Sequence, residues 1–205
     1  MRINKKKFIY LISPNKVAED NFYNDLIKLF KSKKISFFQL RLKNEKNEKK
    51  ILIGKKVKKI CKKFNVNFLI NDDPILAKKL NADGCHLGQK DMNIIQARKL
   101  LKKKIIGITC HNSIKLAKTA INHKADYIAL GSFYASKTKK IRYRATTNIL
   151  NSIKKITKIP IVAIGGINSK NYKKLLLNKA NFLAISGYIW NNKKYKPIEA
   201  INKII

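Results

Sequence analysis

Carboxylates are scarce in this chain. Eleven Asp and Glu stand against 47 Lys and Arg over 205 residues, a formal charge of +36. Such a balance attracts polyanions at long range and is one footprint of a nucleic-acid or anionic-membrane binder. The distribution points elsewhere, because lysines are spread over nearly every helical segment and no basic run is interleaved with stacking aromatics. Lysine, asparagine and isoleucine are all abundant and all have AT-rich codons, so compositional drift explains the bias without a polyanionic partner. Neither a specific nucleic acid nor a membrane is expected as a partner, and homo-oligomerisation is left open.

Cysteine and histidine are just as sparse. Cys61, Cys85 and Cys110 form no C-x-x-C pair and leave one thiol over, which excludes a disulfide framework or a zinc motif and suits a reducing, cytoplasmic setting. Of the three histidines, none has a second at metal-ligand spacing. His86 lies inside an apolar run and reads as a satisfied core residue, while His123 suits a helix C-terminus. His111 sits at a strand end, where acid–base work and an idle loop position are both open. Cys110 has no evident base partner. The apolar run Phe8 to Ile12 is too short for a signal-peptide core or a membrane span.

What the chain does have is rhythm. With 45% hydrophobic residues it can bury one ordinary domain core. Apolar runs recur at 8–13, 37–42, 67–71, 84–88, 105–110, 127–133, 159–165 and 181–186, most of them rich in β-branched residues, as strands covered on both faces should be. Between them, segments such as 20–32, 45–63, 113–122 and 169–178 carry apolar residues at helical spacing with lysines opposite. Alternation over eight units predicts an α/β fold, a single-domain (β/α)8 TIM barrel spanning 1–205, with a doubly wound sheet as the alternative. The segments "LNADGCHLG", "HKADYIALG" and "NKANFLAIS" repeat one pattern before the fourth, sixth and eighth strands. Asp83 and Asp126 therefore belong to the N-terminal, structural face.

Against this scarcity, Asp72, Asp73, Asp83 and Asp91 fall close together. In a barrel the chemistry gathers at the C-terminal strand ends. There "QLRLK" sets Gln39, Arg41 and Lys43 on one face, "NDD" follows the third strand and "GQKD" the fourth. Asp72 and Asp91 on neighbouring strand ends, beside Arg41, Lys43 and Lys139, suit a Mg²⁺–diphosphate site, since magnesium takes one or two carboxylates plus phosphate oxygens. "SKT" (136–138), Gly165-Gly166 and Ile185-Ser186 suit a second phosphate. A surface cap and a solvated loop charge remain the bland alternative for the two aspartates.

The stretches "QLRLK", "INDDPILAKKLNADGCHLGQKD", "IGITCH", "ADYIALGSFYASKTKK", "IPIVAIGGI" and "AISG" resemble, in order and over most of the chain, the motifs of the thiamine-phosphate synthase family. The resemblance implies a transferase that joins a hydroxymethylpyrimidine diphosphate to a thiazole phosphate with loss of pyrophosphate. Ionisation of the pyrimidine–CH₂–O bond comes first. It further implies that Asp72 and Asp91 hold Mg²⁺, and that Arg41, Lys43, Asn71 and Lys139 bind the diphosphate. Gln39 and Thr109 would contact the pyrimidine or its phosphates. Ser136, Thr138, Gly166, Ile185 and Ser186 would hold the thiazole phosphate. Arg41, Lys43, Lys139 and Thr109 are thus the expected catalytic residues. This chain departs from the family pattern by Ser136 for Thr, Thr109 for Ser, and the absence of proline at Ser132 and Ala135. A thiazole tautomerase of the same superfamily and a non-catalytic, basic nucleic-acid-binding barrel are the competing readings. The first typically lacks the Gln-x-Arg-x-Lys motif and the full acid pair.

Overall fold

Short runs of β-branched and aromatic residues pair most stably when neighbours cover both faces, and here each run finds two parallel neighbours. The computed structural model describes residues 7–17, 19–135 and 142–204. Its strands are β1 (Ile9–Ile12), β2 (Ile35–Leu40), β3 (Asn67–Asn71), β4 (Gly84–Leu87), β5 (Ile105–His111), β6 (Tyr127–Gly131), β7 (Ile161–Ile164) and β8 (Phe182–Ile185). They close in sequence order, with β8 pairing β1, into a parallel barrel. The doubly wound alternative is thereby excluded. The helices are α1 (Glu19–Lys31), α2 (Asn47–Lys63), α3 (Pro74–Lys79), α4 (Ile94–Leu101), α5 (Ile114–Asn122), α6 (Thr147–Ile156), α7 (Tyr172–Leu177), α8 (Gly187–Trp190) and α9 (Pro197–Asn202).

Three departures from the expected bounds bear on the site. β2 starts two residues earlier than the 37–42 run and stops at Leu40, so Arg41 and Lys43 lie beyond its last rung. β6 stops at Gly131 because the chain leaves the sheet there, and residues 133 and 134 donate their N–H groups to Ile164 and Gly165. α7 begins at Tyr172, since Asn168 and Asn171 first close a turn through side-chain bonds.

Strand alternation splits the core in two. Outward side chains such as Leu11, Phe38, Phe68 and Ile106 pack against the helices. Inward ones, including Tyr10, Phe37, Leu69, Tyr127, Val162 and Phe182, fill the barrel. Phe182 sits edge-on to Phe37 with ring centroids 5.1 Å apart, so Phe182→Ala would leave a hole costing about 3–5 kcal/mol.

The base of the barrel is tied by a repeated bond. Asp83 Oδ2 accepts the Phe68 N–H at 2.8 Å, Asp126 Oδ2 accepts that of Ile106 at 2.8 Å, and Asn181 Oδ1 accepts that of Ile161 at 2.9 Å. Each acceptor precedes an even strand and takes an N–H from the first or second residue of the odd strand before it. Asp126 is also paired with Arg98 at 2.6 Å. Both acids assigned to the structural face are accounted for by these bonds.

Candidate active site

The "NDD" sequence divides three ways at the end of β3. Asn71 is the last strand residue and its Oδ1 accepts from Gln39 Nε2. Asp72 follows in the left-handed region, φ +64°, which Asp tolerates better than most residues, and its N–H donates to His86 O at 2.8 Å. Asp73 caps α3, accepting the Leu76 N–H at 2.8 Å. Of the three, Asp72 alone is left with its carboxylate on the rim.

Asp91 reaches the same place from the β4 side. Its Oδ2 accepts the Gly88 N–H at 2.7 Å, which folds "GQKD" back over the strand end. The carboxyls of Asp72 and Asp91 lie within hydrogen-bonding reach of each other. Burial pushes both up. In Asp72 this is outweighed by the bond to Asp91 and by the Lys43 ammonium 3.1 Å away, so its carboxyl falls below the usual range. Asp91 keeps the upward shift, from burial and from the charge of Asp72. Lys43, its side chain 53% exposed, forms an ion pair with Asp72. A like-charge pair of this kind calls for a cation.

A cleft of about 260 Å³ opens on the β2–β3 side of Asp72, lined by Lys43, Lys50, Asn71, Asp72, Leu42 and Leu76. Arg41 does not turn towards the acids as its alternation with Lys43 suggested. Its backbone has left the strand, and its guanidinium donates to Asn15 Oδ1 at 2.8 Å. Gly166, φ +61°, sits at the rim of β7, where a Cβ would stand 2.1 Å from Ala135 O; only glycine lets the two loops approach. Ile185 is 2% exposed with its side chain in the outer core, so only its backbone faces any ligand. Ser186 Oγ donates to Ser13 O at 3.1 Å. Ser136, Thr138 and Lys139 lie outside the described residues.

The remaining histidines, Trp190 and the thiols have other engagements. His123 is the C-cap of α5. His111 stacks on Tyr143 at 4.2 Å. Trp190 Nε1 donates to Ile12 O at 2.7 Å and its ring packs on Phe22. Burial pushes the Cys110 thiol up to about 12, and Cys85 rises for the same reason, so both stay protonated at neutral pH and neither is a nucleophile.

Sequence reasoning missed two features. Ser13 is a node at the end of β1, its Oγ accepting the Arg41 N–H at 2.8 Å and its carbonyl accepting from Ser186. The barrel interior also holds a continuous polar chain. Thr109 Oγ1 meets His86 Nε2 at 2.8 Å, His86 Nδ1 meets the Tyr127 hydroxyl at 2.9 Å, and the Tyr127 and Tyr10 hydroxyls meet at 2.8 Å. Tyr10 then donates to Gln39 Oε1 at 2.6 Å, and Gln39 to Asn71. The polar residues at the alternating inward positions of β1, β4 and β6 were the available signal.

A parallel eightfold barrel with an acid pair and lysine on its C-terminal rim defines the molecule as a (β/α)8-barrel enzyme, its site built from the strand-end loops. Within that class the chain belongs to the thiamine monophosphate synthase family, whose model matches residues 9–189. It is 72% identical to the thiamine-phosphate synthase of Pelagibacter ubique over the full length of both chains. It is 40% identical to that of Marinobacter nauticus over 76% of this chain and 70% of the relative. Its fold matches the thiamine phosphate pyrophosphorylase of Pyrococcus furiosus with a TM-score of 0.85 at 25% identity, covering 98% of this chain and 94% of that one. A 3-hexulose-6-phosphate synthase structure at 12% identity, TM-score 0.65, shares the fold alone.

Proposed function

We propose that the chain is a thiamine-phosphate synthase, joining a hydroxymethylpyrimidine diphosphate to a thiazole phosphate with release of pyrophosphate. The observation that carries this is the contact of Asp72 with Asp91 on the rim, with Lys43 against Asp72. The donor set fits Mg²⁺. Two hard carboxylates sit side by side with incomplete neutralisation, and no group of three or more His, Cys, Asp or Glu side chains among the described residues forms an all-protein cage. Such a pair leaves coordination positions for phosphate oxygens and water. Bound there, the ion would supply positive charge to the departing diphosphate.

The rest falls to this chain's own residues. Asp72 and Asp91 would hold the metal, while Lys43, with Arg41 and Lys139 brought in by substrate, would neutralise phosphate charge. The C–O bond of the pyrimidine–CH₂–O group breaks and its electron pair leaves with pyrophosphate. The thiazole nitrogen lone pair then forms the C–N bond. Gly166, the Ile185 backbone and Ser186, with Ser136 and Thr138, would hold the acceptor phosphate near β7 and β8. Catalysis of this kind rests on positioning and leaving-group stabilisation, which accords with thiols held protonated and a histidine buried among hydrogen-bond partners.

The three free, buried thiols support a reducing, cytoplasmic setting for the reaction. No helix among the described residues is long and apolar enough to cross a membrane. The test is incubation of the protein with both substrates and Mg²⁺, following pyrophosphate. Release that requires the thiazole phosphate and the metal is expected. Release indifferent to the thiazole, or none at all, overturns the assignment.

A further inference from the structure

The polar chain through the barrel has a direction. A tyrosine hydroxyl carries one proton, and that of Tyr10 is committed to Gln39 Oε1. Tyr10 therefore accepts from Tyr127, whose own proton is spent in doing so. The Tyr127 oxygen must then accept from His86, which places the imidazole proton on Nδ1 and leaves Nε2 as an acceptor for the Thr109 hydroxyl. At the other end, Gln39 uses its Nε2 on Asn71 Oδ1, so the amide end of Asn71 left for the mouth is Nδ2, a donor.

Burial enforces the pattern. Tyr10 and Tyr127 are each 1% exposed and His86 8%, so an unpaired group in the chain would have no water to turn to. The chain exists because β5 gives way to it. A Cβ on Gly107 would lie 1.8 Å from the Tyr127 ring, so a residue larger than glycine there would push the phenol aside. Electrostatics at the rim favour the same direction. The reversed chain would leave Asn71 Oδ1 beside Asp72, an acceptor among carboxylates, where the forward chain leaves a donor suited to a phosphate oxygen.

We propose that Tyr10, Tyr127 and His86 are positioning residues whose one-way hydrogen-bond chain sets the polarity of the substrate mouth, fixing Asn71 as a donor on the diphosphate side and Thr109 as an acceptor on the far side. None of the three needs to touch substrate. Breaking the chain at Tyr127 frees Gln39 and Asn71 to turn, and the first casualty is the grip on the diphosphate. The thiazole phosphate, held from β7 and β8, is bound by residues outside the chain.

The experiment has a substrate-free arm and a kinetic arm, and only the second rests on the proposed reaction. In the first, nitrogen-15 imidazole spectra of the full chain are recorded at neutral pH, with His111→Gln and His123→Gln variants assigning His86. A single tautomer with the proton on Nδ1 is expected, and a proton on Nε2 overturns the proposal. In the second, Tyr127→Phe removes one oxygen. The KM for the pyrimidine diphosphate should rise about tenfold while that for the thiazole phosphate moves less than about twofold. Equal rises in both, or no rise in either, overturn it. Should Tyr127→Phe fail to fold, the wild-type tautomer still decides. A parent protein that makes no thiamine phosphate would sink the reaction and leave the tautomer result standing.

Discussion

The two ends of β4 carry acids with opposite lives. Before the strand, Asp83 accepts a backbone N–H, and its counterpart Asp126 adds an arginine 2.6 Å away. Past the strand, Asp91 faces Asp72, a carboxylate against a carboxylate, with Lys43 against Asp72. Asp83 and Asp91 each accept a backbone N–H, so that bond does not separate them; the second carboxylate beside Asp91 does. Carboxylates set against each other are held for something that arrives later, and their shifted titration marks them as such.

The contrast breaks if the rim pair proves dispensable. Asp72→Asn and Asp91→Asn should each cut turnover at least about a hundredfold, while the melting temperature stays level or rises in Asp91→Asn and falls slightly in Asp72→Asn, which loses its pairing with Lys43. Asparagine is the right probe at Asp72, since it too tolerates the positive φ found there. Either variant working at near-parental rate removes the metal assignment. Between the two ends, His86 makes stability depend on pH. Its folded value is about 4 against an ordinary 6.5, so the unfolded chain takes up the proton first as pH falls. The contribution is complete above that ordinary value and drains towards the folded one, a loss of about 3 kcal/mol. Denaturant titrations at neutral and mildly acid pH should show it, and a curve without that slope refutes it. Asp91, shifted upward, pulls the opposite way, so the slope should steepen in Asp91→Asn.

At the base the expected sign is reversed. Asp83→Ala leaves the Phe68 N–H without its acceptor and should cost about 1–3 kcal/mol of stability with unchanged KM values, read by calorimetry and kinetics on one preparation. Lost activity in a well-folded Asp83 variant would blur the distinction between the ends. The smallest effect belongs to Lys43. Half exposed against Asp72, it should add well under about 1 kcal/mol to stability, yet Lys43→Met should raise the KM for the diphosphate severalfold. Unchanged kinetics would make it one lysine among many.

Much of this was legible in the chain. β3, Asn67–Asn71, coincides with its apolar run, and the spacing of Asp72 and Asp91 alone sets them on adjacent strand ends. The repeat around Asp83, Asp126 and Asn181 announced its own structural role. What stayed hidden depends on distance along the chain. His86 was rightly placed in the core, but Tyr127 lies 41 positions away and Thr109 lies 23 away, and no local pattern reveals that three inward side chains on different strands share protons. Arg41 misled because alternation holds only while the strand lasts, and β2 ends one residue before it.

The bonds at Asp83, Asp126 and Asn181 also group the barrel. Each couples an even strand to the odd one before it, so β3 with β4, β5 with β6 and β7 with β8 behave as laced doublets, whereas the first doublet, β1 with β2, is joined there instead by Ser36 Oγ donating to Lys7 O. Slow amide exchange at Phe68, Ile106 and Ile161 would trace the lacing, and loosening should begin at the β4–β5, β6–β7 and β8–β1 seams, since the β2–β3 seam is also tied by Asn67 Nδ2 donating to Ser36 O.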